Sequence, residues 1–86
     1  MSAQVAERIH QGLLARGYIV EAELNSPELF GSWYKDYARP GRLVRLIWDG
    51  RDRCFVLQGG EQWRDLAIKR ANELENGIDE FLAHAD

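Results

Sequence analysis

The chain has 86 residues, 45% hydrophobic and 29% charged, with a formal net charge of −3 at pH 7. That length supports a single domain, residues 1–86, with a modest core, and three Trp, three Tyr and three Phe carry too much burial area for a disordered segment. One cysteine, Cys54, excludes an internal disulfide framework. No apolar run reaches the roughly 18 residues of a membrane span. The polar start Met1-Ser2-Ala3-Gln4-Val5-Ala6-Glu7 holds no signal core, so a cytoplasmic location is expected.

Residues 3–16 are predicted helical. Val5, Ile9 and Leu13 recur at i, i+4, i+8. Ser2 is the expected N-cap and Gly17 the expected left-handed residue just past the end. Gly12 weakens this helix by up to ~1 kcal/mol against Ala, and leaves room for a close neighbour. Val20-Glu21-Ala22-Glu23-Leu24 alternates as a half-buried strand, with Tyr18 extending its inward set. Asn25-Ser26-Pro27 breaks it. A second, aromatic-rich strand runs from Leu29 or Phe30 to Arg39, and Pro40-Gly41 turns the chain. Leu43 to Trp48 is the third strand, Asp49-Gly50 a hairpin signal, and Arg53 to Gln58 the fourth strand. Gly59-Gly60 ends the sheet. Glu61 to Glu75 is predicted as a second helix, with Trp63, Leu66, Ala67, Arg70, Ala71 and Leu74 on one face. Asn76-Gly77 breaks it, leaving Ile78 to Ala83 as a short final helix.

The expected fold is therefore α+β: a two-layer sandwich, α-β-β-β-β-α, in which a four-stranded antiparallel meander carries the N- and C-terminal helices on one face. With Pro40-Gly41 as a two-residue loop, Arg39 opposes Arg42, Tyr37 Val44, Asp36 Arg45, Lys35 Leu46 and Trp33 Trp48. If Trp48 and Arg53 close the next hairpin, Leu46 opposes Phe55. Opposed residues share a face, so Trp33, Tyr37, Val44, Leu46, Trp48, Phe55 and Leu57 gather on the core side. Tyr34, Asp36, Ala38, Leu43, Arg45, Ile47, Cys54, Val56 and Gln58 gather on the other. There Asp36 meets Arg45 inside an apolar surround, a pattern of interaction surfaces. A one-residue slip would separate the two charges and scatter the core.

Residues 31–60 carry Lys35, Arg39, Arg42, Arg45, Arg51 and Arg53 against Asp36, Asp49 and Asp52, while residues 61–86 are acidic. His10 and His84 stand alone near opposite ends, His10 expected on the helix surface. Cys54 reads as a small mid-strand thiol. Asp49 and Asp52 read as turn formers. No metal-ligand spacing, nucleophile motif or phosphate loop stands out, so no cofactor, metal or small-molecule substrate is expected. The expected function is a non-enzymatic protein–protein interaction module, an adaptor, inhibitor or immunity-type protein. It would dock on another protein, or on itself as a homodimer, through Tyr34, Asp36, Leu43, Arg45 and Ile47. The alternative is nucleic-acid binding through Arg39, Arg42, Arg51 and Arg53 with Tyr34. The element order resembles that of double-stranded-RNA-binding domains, whose last helix opens on a lysine-rich run. Glu61-Gln62-Trp63-Arg64-Asp65 stands at that place here, so the resemblance stops at element order.

Overall fold

The computed structural model describes residues 2–86. Helix α1 spans Ser2–Ala15 and buries Val5, Ile9 and Leu13, the predicted stripe. It begins at Ser2 itself, so Ser2 stands in the first turn rather than at the cap. Its end follows expectation. Gly17 takes φ 88°, and the amides of Gly17 and Tyr18 reach back to the carbonyls of Leu14 and Leu13.

Five strands follow, not four: β1 (Ile19–Ser26), β2 (Ser32–Arg39), β3 (Arg42–Asp49), β4 (Cys54–Gly59) and β5 (Arg64–Arg70). They pair in sequence order as one antiparallel meander. A 3₁₀ turn at Ala71–Glu73 leads to helix α2, Ile78–Ala83, the short helix expected there. The predicted helix over Glu61–Glu75 is replaced by a hairpin and β5. Gly59-Gly60 ends β4 but turns the chain instead of leaving the sheet. Gly59 pairs Arg64 around the loop Gly60–Trp63. Both Leu66 and Ala67 pack on the core because the register slips beside Leu57 and Gln58. That slip hides the two-residue alternation and leaves a spacing that mimics a helix face.

The first hairpin register is as predicted, from Trp33↔Trp48 to Arg39↔Arg42. The second differs by two residues: Asp49, not Trp48, closes it, opposite Cys54, so Trp48 opposes Phe55 and Leu46 opposes Leu57. The Asp49 carboxylate accepts from the amides of Arg51 and Asp52 and sets this turn, while Arg53 takes φ 54°. A two-residue slip returns every side chain to its own face, so the face assignment survives.

Both helices cover the core face. Val44, Leu46, Trp48, Phe55, Leu57 and Tyr37 are buried there with Leu74, Ile78, Phe81 and Leu82, and Trp33 is half-buried against them. Each such side chain contributes ~1.5–3 kcal/mol. The helices meet at Gly12, where an added Cβ would collide with Leu82 Cδ1. His10 is not a free surface residue. It is half-buried, its Nδ1 2.8 Å from the Tyr37 hydroxyl.

Strand β1 departs from its expected half-burial. Nearly all of it is exposed, and a bulge between Val20 and Ala22 splits its apolar set. Val20 opposes Tyr37 on the core side, whereas Leu24 opposes Tyr34 on the other.

Candidate interaction face

Among the described residues, no helix lies over the second sheet face. Its side chains form rows that run straight across the strands, because the pairing of neighbours carries each level through. One row is Leu24, Tyr34, Ile47, Val56 and Ile68, one from each strand and all apolar or aromatic. The next is Ala22, Asp36, Arg45, Gln58 and Asp65. A third holds Ile19, Ala38 and Leu43. A polar stripe thus lies between two apolar ones.

Arg45, mid-strand in the central strand, organises the stripe. Its Nε donates to Asp36 Oδ1 at 2.6 Å and its Nη2 to Oδ2 at 3.0 Å, a bidentate pair. The guanidinium lies 4.0 Å from the Tyr34 ring centroid and 4.0 Å from that of Trp63, one ring from β2 and one from the β4–β5 loop. The hydrogen bond to Asp36 holds the guanidinium proton more tightly than usual, against opposition from burial. Trp63 has φ 51°, a backbone region costly for a bulky residue. Its amide donates to Gly60 O and its ring stacks on Arg45, which offsets that cost. Gln58 Nε2 donates to Asp65 at 2.8 Å, closing the row. These contacts tie the centre of the face together, with its polar groups paired to one another.

All five residues expected to bind protein therefore share one face: Tyr34, Asp36 and Arg45 in direct contact, Leu43 and Ile47 in the flanking rows. Sequence reasoning missed Trp63, Leu24, Ile19 and Ile68. Trp63 and Ile68 fell within the supposed helix. The spacing of Gly60 and Trp63 around a four-residue loop was the signal for the first. Nothing local marks the bulge that turns Leu24 outward.

The four arginines of the alternative are not gathered. Arg39 donates to the Arg16 carbonyl at 2.8 Å and lies over the Tyr18 ring, and Arg42 donates to the His84 carbonyl at 2.9 Å. Both are engaged at the C-terminal ends of the helices, where the backbone dipoles favour cations. Arg51 and Arg53 sit exposed in the β3–β4 turn, at the opposite end of the sheet, with Arg51 5.9 Å from the Phe30 ring centroid.

Cys54 opens β4 on the same face rather than sitting mid-strand, half-buried. Burial, then the Asp49 and Asp52 carboxylates, push its thiol up, so it is a poor nucleophile at neutral pH. No helix among the described residues is long and apolar enough to cross a membrane. Comparison with protein-family models, curated proteins and solved structures finds no match to this chain.

Proposed function

We propose that this chain is a small non-enzymatic interaction module that docks on a protein surface through its uncovered sheet face. An adaptor, an inhibitor or an immunity-type protein fits that reading. The observation that carries it is the pre-organised Arg45, clamped by Asp36 between Tyr34 and Trp63 and flanked by apolar rows. Arginine with aromatic neighbours is the residue set that dominates binding energy at protein interfaces. Apolar side chains left half or more exposed at both edges of the same face, Ile19, Leu24 and Ile68, add to it.

The test is binding of a purified partner by wild type and by Arg45→Glu, which sets a like charge against Asp36. Circular dichroism of the variant confirms that it remains folded. Affinity is expected to fall at least tenfold, and unchanged affinity in a folded variant would overturn the reading.

Nucleic-acid binding stays the second reading, carried by the exposed Arg51 and Arg53. It draws less support, because Arg39 and Arg42 are held by helix carbonyls and Tyr34 by Arg45. A salt titration separates the two: phosphate contacts give steep loss of affinity as salt rises.

A further inference from the structure

We propose that the occupant of the open face is a second copy of this chain, packed sheet to sheet about a twofold axis that runs parallel to β3. This rests on the docking reading above and deepens it.

Two observations support it. The first is size. The molecule measures 32 × 28 × 19 Å. Five strands ~4.8 Å apart, each up to eight residues long at ~3.4 Å per residue, make a platform on the order of 650 Å² before side-chain relief. A standard interface buries ~800 Å² per partner, so the face is of the right size for one copy of itself.

The second is the row pattern. An axis along the strands keeps every level in place and reverses strand order. The apolar row then lies on itself, with Leu24 of β1 over Ile68 of the partner's β5. Asp36 lies over the partner's Gln58 and Ala22 over the partner's Asp65, while Arg45, on the axis, meets its own copy with each guanidinium neutralised by its own Asp36. An axis across the strands through the polar row would set Asp36 on Asp36 and Asp65 on Asp65 as well as Arg45 on Arg45, two further like-charge contacts. Leu24 and Ile68, 50% and 55% exposed, become the buried ends of the row.

The resulting aligned sandwich is a regular way for two twisted sheets to pack.

Light scattering on the purified chain is expected to give about twice 9.9 kDa at tens of micromolar. Leu24→Glu and Ile68→Lys, both at exposed positions and so harmless to folding, are each expected to give monomers. Mixing the two variants is expected to restore a dimer, because the heterodimer sets the new acid over the new base and keeps one natural Leu24–Ile68 contact. A monomeric wild type overturns the second-copy proposal and leaves the docking reading to its own partner assay. Dissociation by both variants without rescue on mixing overturns the axis, and with it this proposal, while the face reading stands. A dimer untouched by either variant shows a different interface and overturns the proposal.

Discussion

Replacing Arg45 with Ala removes three contacts at the centre of the open face. The Arg45 and Asp36 side chains are 22% and 14% exposed, so their pair is better shielded than an ordinary surface ion pair. Charge-assisted hydrogen bonds of this kind contribute ~1.5–3 kcal/mol. Each ring contact adds ~0.5–1 kcal/mol. Together, Arg45→Ala is expected to cost roughly 2–4 kcal/mol, part of it from leaving Asp36 unpaired. In a chain of this size each kcal/mol lowers Tm by ~4–8 °C. Asp36→Ala is expected to cost about 1–2 kcal/mol. The double variant should cost less than the sum of the two by about 1–2 kcal/mol, because the second deletion removes a partner already lost. Urea unfolding at one fixed protein concentration measures all four corners of the cycle. A coupling below ~0.3 kcal/mol would show that the pair is solvated and independent, and that the centre of the face is not pre-organised.

Gly12→Ala is expected to change sign with its neighbour. In the wild type the new methyl meets Leu82, and overpacking of about 1–3 kcal/mol outweighs the helix gain of ~1 kcal/mol. With Leu82→Ala already present the space is open, and Gly12→Ala should stabilise by about 1 kcal/mol. Destabilisation in both backgrounds would refute the close approach of the two helices. Alkaline unfolding should report on Tyr37. Burial first, then Glu7 and Glu23, push its phenol from 10.0 up to about 12. A value raised in the folded state means that stability is complete below about pH 10 and is lost as pH rises through about 12. That rise corresponds to about 3 kcal/mol. Tyr37→Phe should flatten that part of the stability curve, and an unchanged slope would assign the loss to another group.

Much of the architecture was legible locally. The i, i+4 recurrence of Val5, Ile9 and Leu13 marked α1, and Gly17 its end. Asn76-Gly77 set the start of the final short helix. Pro40-Gly41 brought Asp36 to Arg45 and Trp33 to Trp48. Even the misplaced second turn kept its faces, because strand side chains repeat every two residues.

Through the turn at Pro40-Gly41 and the alternation around it, the amino-acid sequence determined α1, the first hairpin and the division of the central strands into a core face and an open one. Only the tertiary structure decided that 64–70 is a strand, that Leu24 turns outward past the bulge at β1, and that Trp63 closes over Arg45. Periodicity reports on neighbours a few residues away. The choice between helix and strand at 64–70 was instead made by the free backbone edge of β4, whose amides and carbonyls needed a partner that no local spacing announces.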